Sequence, residues 1–450
     1  MKKLILIITV IIFSEYSFAQ EKKYSFSMQE AVKFALDSSY TALNARRDIA
    51  KAIKQKWEVT AQGLPQINGE ITYRNNIIQP VTLIPAEFFG GAPGTYAPVE
   101  FNPRHSANAS ATLSQLIFDG SYLVGLQAAK VFLEFSENAN RKTQIEITKG
   151  VINAYGSVLL AEEMVSILEK NKKTVEKTLF ETQKIYENGL TEEESVEQLE
   201  ITLLDLKNRL FNTKQMLEIA KQMFNLSIGL DITIPVNLTD NLEQLTKQNI
   251  SLTLLEESLN LKSNIDFKIA TNRTQQRQLE LKREKSNALP SLAAFVNIGT
   301  LANENDFTFF DPKQKWYAYS VFGASMKIPL FSSLGRNAKT QRAKIALEQA
   351  KTQLTETQQK VKLAFSQAKT QYEFAVKNYQ NAKKNLALAE RIEHKNQLKF
   401  KEGLTGSFEL RQAQLQLYTA QQQYYQAMLQ VINTKANLES ILNTLNTKRN

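Results

Sequence analysis

From Val196 onward, apolar residues return every three or four positions: Leu199, Leu203, Leu206 and Leu210, then Thr213, Leu217, Ala220 and Phe224. That spacing is the seam of a coiled coil. It returns from Leu410, through Ala413, Leu417, Ala420, Tyr424, Ala427, Val431, Thr434, Leu438 and Ile441. An offset of 214 residues carries Val196 onto Leu410, so the two seams begin in one register. Helices patterned in this way cannot wrap a small central core. They must run along partner helices.

Each seam is preceded by the same short motif. Glu187-Asn188-Gly189-Leu190-Thr191 matches Lys401-Glu402-Gly403-Leu404-Thr405 at that same offset. Gly189 and Gly403 are natural left-handed ends for a helix. Thr191 and Thr405 are placed to cap the next one, and Thr191-Glu192-Glu193-Glu194 has the form of a capping box with its carboxylates in a positive first turn. Upstream lie two more seams, one through Val151, Tyr155, Val158, Val165, Leu168, Val175, Leu179 and Tyr186. The other runs through Val361, Phe365, Ala368, Tyr372, Ala375, Tyr379, Ala382, Leu386 and Ala389. A helix from about Ser121 to Asn188 would be on the order of 100 Å long. The Ala and Thr in these seams point to close approach and to several neighbours. The chain therefore reads as mainly α, a tandem repeat of long coiled-coil hairpins.

Between the helices the period changes to two. Ile67, Gly69, Ile71 and Tyr73 alternate with Asn68, Glu70, Thr72 and Arg74, while Ala107, Ala109, Ala111 and Leu113 alternate with Ser106, Asn108, Ser110, Thr112 and Ser114. Such strands have one wet and one apolar face. The second repeat has its own pair, near 291–301 and 316–329, with Trp316, Tyr317 and Tyr319 where an interfacial aromatic girdle would lie. Gly63-Leu64-Pro65 and Ala288-Leu289-Pro290 lead into the two pairs. The stretch from Pro80 to Arg104 holds five of the chain's ten prolines and reads as a long surface loop. Strands of roughly ten residues are long enough to cross a bilayer when tilted. A membrane sheet must close on itself, and four strands cannot. Two copies of the chain would supply eight strands and three would supply twelve.

The first residues read as a secretory signal: Met1-Lys2-Lys3, an apolar run from Leu4 to Phe13, and Ser17-Phe18-Ala19 as the cleavage site. No other segment approaches ~18 consecutive apolar residues, so a membrane crossing must be made by strands. The chain has no Cys and only two His, which excludes disulfides and leaves no metal site of the usual N/S kind. Its net charge of +10 comes from Lys and Glu interleaved along helices, a solvated surface rather than a nucleic-acid face. No catalytic constellation is present and no cofactor is called for.

Taken in order, the signal peptide, the duplicated helix–strand–strand–helix–helix pattern, the Leu64-Pro65 and Leu289-Pro290 pairs and the two Gly-Leu-Thr tips resemble the TolC-like outer-membrane efflux channel family, the outer membrane factors. The resemblance covers nearly the whole mature chain. It implies a homotrimer in which each protomer gives four strands to a shared twelve-stranded β-barrel in outer-membrane lipid, and its helices to an α-barrel extending into the periplasm. It implies that Gly189, Leu190, Thr191, Gly403, Leu404 and Thr405 meet a periplasmic adaptor (membrane-fusion) protein, which couples the duct to an inner-membrane pump. Some family members close their periplasmic end with aspartates shortly after the second tip. The matching positions here are Glu409, which keeps the acidity, and Gln412, which does not. Glu192, Glu193 and Glu194 offer acidity at the other tip.

The expected organisation is a signal peptide over 1–19, a first repeat over 20–240 and a second over 241–450. The expected function is a passive exit duct for a tripartite efflux or type I secretion system. The competing reading is a periplasmic or surface coiled-coil scaffold without a pore, which the strand alternation disfavours.

Overall fold

The computed structural model describes residues 24–445; the signal segment 1–19 lies outside them. The chain opens with β1 (Tyr24–Phe26), α1 (Met28–Ser38) and α2 (Tyr40–Ala61). Next come β2 (Gln66–Asn75), β3 (Thr82–Pro85), β4 (Tyr96–Val99) and β5 (His105–Phe118), then α3 (Gly120–Glu187) and α4 (Glu193–Ile228). After β6 (Val236–Leu238) and α5 (Leu242–Gln248), the order returns: α6 (Ile265–Ser286), β7 (Ser291–Glu304), β8 (Tyr317–Lys327), α7 (Gly335–Lys401) and α8 (Ser407–Leu442). The duplication holds to the residue along the second helical arm. The offset of 214 carries Glu187, Glu193 and Ile228 onto Lys401, Ser407 and Leu442.

The chain divides into two compact units, with the division falling inside α2, α3, α6 and α7. One holds residues up to Asp48, Glu137–Ile269 and the chain from Thr355. The other holds Ile49–Ser136 and Ala270–Leu354.

The first unit is helical, and its core is the set of seams. Val151, Tyr155, Phe224, Ile228, Tyr372, Ala375, Val431 and Leu438 are buried in one cluster. Burial of each large apolar side chain contributes about 1.5–3 kcal/mol. By composition, α3 contains a window apolar enough to cross a membrane. The same helix buries Val151, Tyr155, Val158 and Leu159 in this core. A two-stranded parallel pair, β1 with β6, fastens the start of the described chain to the connection between the repeats.

The second unit is built on a four-stranded antiparallel sheet in the order β2-β5-β7-β8. Its register places Ile67, Leu113, Val296 and Phe322 in one row across one face. The next row, on the other face, is Asn68, Thr112, Asn297 and Val321. The alternation read from the sequence is thus a real difference between two faces. Asn297 Nδ2 donates to Thr112 Oγ1 at 2.6 Å, and the Tyr319 hydroxyl donates to Asn108 Oδ1 at 3.0 Å. Tyr319 passes directly over Gly299, where a Cβ would lie 2.6 Å from its ring.

Two expectations are corrected. Neither threonine caps a helix. The N-cap positions are Glu192 and Gly406, and neither makes a side-chain cap bond. The turn after each helix uses Gly and Leu, and the chain needs one more residue beyond Thr before helical geometry starts. The stretch from Pro80 to Arg104 is also not a structureless loop. It carries the β3–β4 hairpin and a 3-10 turn at Ala86–Phe89, with Pro98 tolerated in a short, exposed strand.

Candidate functional site

The chain reverses twice at hairpin tips. At the first, Gly189 takes φ +72° and donates its N–H to Tyr186 O at 2.8 Å, while Leu190 donates to Ile185 O at 3.1 Å. At the second, Gly403 takes φ +68° and donates to Phe400 O at 3.1 Å, while Leu404 donates to Lys399 O at 2.8 Å. Both are Schellman turns, which absorb the last free carbonyls of the helix. In that motif the residue after Gly often folds back on the helix. Here Leu190 and Leu404 stay 78% and 76% exposed, so each tip presents one large apolar side chain outward. Thr191 and Thr405 are half-buried behind them.

The two tips lie side by side. Lys401 Nζ is 3.8 Å from Glu181 Oε2, which ties the end of α7 to α3. Ser407 Oγ donates to Gln198 Oε1 at 3.4 Å, which ties the start of α8 to α4. All six tip residues named from the sequence therefore gather at one end of the helical unit.

Glu409 and Gln412 are exposed in the first turns of α8, while their neighbours Leu410 and Ala413 are buried. Glu192, Glu193 and Glu194 are exposed at the start of α4, where Gln198 Nε2 donates to Glu194 Oε1 at 2.8 Å. Carboxylates at both helix N-termini are favoured by the positive ends of those helices. Both tips thus carry acidic, solvated side chains beside an outward leucine. Among the described residues no three His, Asp or Glu side chains gather where they could hold a metal ion.

A polar layer deeper in the hairpin escaped the sequence reading. Gln414 is 1% exposed, and neither its amide oxygen nor its amide nitrogen finds a hydrogen-bond partner in the chain. Burial pushes the Glu393 carboxyl up from its usual value, partly opposed by His394. Burial also pushes the Tyr418 hydroxyl up, and the charge on Glu393 adds to the effect. A signal was present: Gln414 sits between Leu410 and Leu417 and is the one amide on that inward stretch.

The chain matches the family described as Outer membrane efflux protein over residues 35–230 and 258–444. It belongs to that family. Outer membrane efflux proteins are channels of the outer membrane that reach into the periplasm, and solved structures agree on the fold. CusC superposes with a TM-score of 0.74 at 16% identity, covering 96% of this chain and 95% of its own. VceC of Vibrio cholerae gives 0.71 at 15%, covering 92% and 95%. The open state of MtrE of Neisseria gonorrhoeae gives 0.71 at 18%, covering 92% and 88%. At these identities the likeness is one of fold. No curated protein matches the chain.

Proposed function

We propose that this outer membrane efflux protein is the passive exit duct of a tripartite efflux or type I secretion assembly. In this reading a signal peptide over 1–19 is followed by repeats over 20–240 and 241–450. The observation that carries it is the open sheet. β2 and β8 are both edge strands, and with four antiparallel strands between and including them they run in opposite directions. The β8 of one copy and the β2 of the next can therefore continue the same antiparallel ladder. A ring of copies leaves no edge, which is the condition for a sheet in lipid. Three copies make the twelve-stranded barrel of the family.

Asn68, Thr72 and Ser110 share the polar face of the sheet and would line the water-filled interior. In the helical unit, Leu190 and Leu404 with their flanking Gly and Thr are the contact for a periplasmic adaptor. Exposed apolar side chains on a polar surface are natural anchors for a partner. Glu409, with Gln412 one turn on, forms the periplasmic gate. One carboxylate per protomer in a threefold ring attracts cations and repels anions at a constriction. An adaptor that binds the open tips better than the closed ones shifts the gate open by that difference in affinity.

The test is fractionation followed by electrophysiology. The protein should need detergent for extraction, run as a heat-sensitive trimer, and conduct ions in planar bilayers. Recovery in the soluble periplasmic fraction, or a stable detergent-free monomer, would overturn the reading.

A further inference from the structure

The polar face of the sheet is not polar throughout. On β2 and β5 it carries short or hydrophilic side chains, among them Asn68, Thr72, Asn108, Ser110 and Thr112. On β7 and β8 it also carries the rings of Phe295 and Tyr319. Phe295 is directly opposite Gly323, and Tyr319 is directly opposite Gly299. Each strand thus has a ring and a glycine four residues apart, and the antiparallel pairing sets each ring against the other strand's glycine. The two rows are the ones that hold Ser114 and Ser110, so both rings belong to the polar face. About 13 Å of strand separates them.

The rings lie down in these places. A Cβ on Gly323 would sit 2.6 Å from Cζ, 2.9 Å from Cε1 and 3.3 Å from Cε2 of Phe295, and these are the atoms nearest to it. A Cβ on Gly299 would sit 2.6 Å from both Cζ and Oη of Tyr319. The Tyr319 hydroxyl reaches beyond β7 to Asn108 Oδ1 on β5. A ring tip that takes the space of a neighbour's Cβ is held flat against the sheet. Phe295 and Tyr319 are accordingly half-buried. Tyr317, on the same face, is opposite Leu301 and has no glycine beneath it. Its side chain is 59% exposed.

Glycine inside a strand weakens it and leaves nothing to pack. Two such glycines on paired strands, each under a ring, carry that cost twice. The return is geometric. An upright ring projects from the wall by its full length, while a ring in a notch adds little more than its own thickness.

We infer that Gly299 and Gly323 are notches that stow Tyr319 and Phe295 against the barrel wall, and that these four residues set the bore of the outer pore. The inference rests on the duct reading, in which the polar face surrounds the water path, and it names the residues that limit the size of what passes. Strand number fixes the barrel's diameter, and the inward side chains decide how much of it stays open. A pore then admits solutes by that width.

The chain contains no Cys, so Ser325→Cys creates a single thiol. Ser325 is on the same face, two residues nearer the helices than Gly323, and a reagent entering from outside passes both rings before reaching it. Intact cells are treated with a small maleimide and with the largest member of a graded polymer–maleimide series that still labels this thiol rapidly. Adding Gly323→Ala displaces the Phe295 ring. Labelling by the polymer should then fall about fivefold or more relative to the small reagent. Adding Phe295→Ala as well keeps the new Cβ, removes the ring and should restore the rate.

A ratio unchanged by Gly323→Ala in an intact trimer overturns the notch, as does a ratio that stays low once the ring is gone. If Gly323→Ala fails to assemble and Phe295→Ala rescues it, the ring's seat in the notch is upheld. If neither assembles, the claim that only the ring fills that space falls. No labelling of Ser325→Cys by either reagent in an intact trimer overturns the polar-lined interior of the duct reading instead. Gly323 is the decisive glycine, because a Cβ on Gly299 would also meet backbone, at 2.9 Å from Ala109 O.

A second measurement follows the ring itself. In Trp57→Phe, Trp316→Phe protein, Phe295→Trp supplies the sole indole. Gly323→Ala should shift its emission to the red and increase its quenching by acrylamide. Identical emission and quenching with Gly and with Ala at 323 would show that no ring had moved, and the notch would fall.

Discussion

The Tyr155 hydroxyl of α3 lies 2.9 Å from Asp240 Oδ2, and through that carboxylate a coiled-coil helix grips the connection between the two repeats. The same oxygen atom of Asp240 accepts from the Met28 N–H at 2.6 Å, at the start of α1. Tyr372 of α7 holds the same connection further along, accepting from the Ser251 N–H and reaching Asn249 O, both at 2.8 Å. Tyr155→Phe keeps the ring in the core and removes only the hydroxyl. It should lower stability by about 1–3 kcal/mol, because the partners left behind are buried. Hydrogen exchange should localise the loss to β1, β6 and the start of α1. A double-mutant cycle with Asp240→Asn should return a non-zero coupling.

Glu393 gives a pH dependence with a definite sign. Burial raises its folded pKa above the unfolded value, so the folded state holds this proton over a range where the unfolded state has released it. The contribution to stability is present below the model-peptide carboxyl value. It is lost as pH rises through the folded pKa. Glu393→Gln should flatten that part of the stability–pH profile and raise the melting temperature at neutral pH. A profile unchanged by the substitution would contradict the assignment.

Gln414→Leu should stabilise the same hairpin, by about 1–3 kcal/mol, since it removes two unpaired buried polar atoms. If tip opening separates α8 from its neighbours, the substitution also makes opening harder. Open probability in planar bilayers should fall without a change in single-channel conductance.

Gly229 and Asn443 occupy the same place in the two repeats, both left-handed at φ +84° and +59°. They should respond differently to substitution. A Cβ on Gly229 would sit 2.5 Å from Ser38 O and 2.8 Å from Ser39 Cα, so Gly229→Ala meets backbone that cannot yield. A loss of about 3 kcal/mol or more is expected. Asn443→Gly keeps a conformation that glycine adopts freely and loses only the hydrogen bond from Asn443 Nδ2 to Ser263 O at 3.0 Å, so its cost should be about 1 kcal/mol. Chemical denaturation of the two variants checks the contrast.

Leu190→Ser and Leu404→Ser remove exposed side chains and should change folding stability by no more than about 0.5 kcal/mol. The trimer should form normally. Adaptor capture in a pull-down should drop for each variant and be abolished in the pair. Unchanged capture would separate the tips from the adaptor contact.

What could be read in advance was what is written locally. A 3,4 repeat needs only a few turns to declare itself, so the seams ending at Ile441 and Phe224 were legible along with the tips at Gly189 and Gly403. Alternation between Ile67 and Tyr73 likewise announces a strand. The β1–β6 pair was not legible, because Tyr24–Phe26 and Val236–Leu238 are too short to show a period and lie far apart in sequence. The helix caps were misplaced because Ser/Thr preference names a residue type, while the Schellman turn before it sets the position. The six tip residues lie together at the two turns their motif marks, but the buried Gln414 was not legible, since only packing reveals that an amide between two leucines has no partner.

β5 pairs with β7 inside one chain, from His105 opposite Glu304 to Phe118 opposite Leu292. That junction between the repeats forms at a rate independent of protein concentration, because both strands share one backbone. The β8-to-β2 junction has no such tether and must wait for an encounter. In a threefold ring half of the six junctions between repeats are therefore settled before any two molecules meet. Dilution can slow only the other half. A chain severed in the connection around Asp240 to Ser251 would make all six junctions depend on encounter, and its assembly would become far more sensitive to expression level.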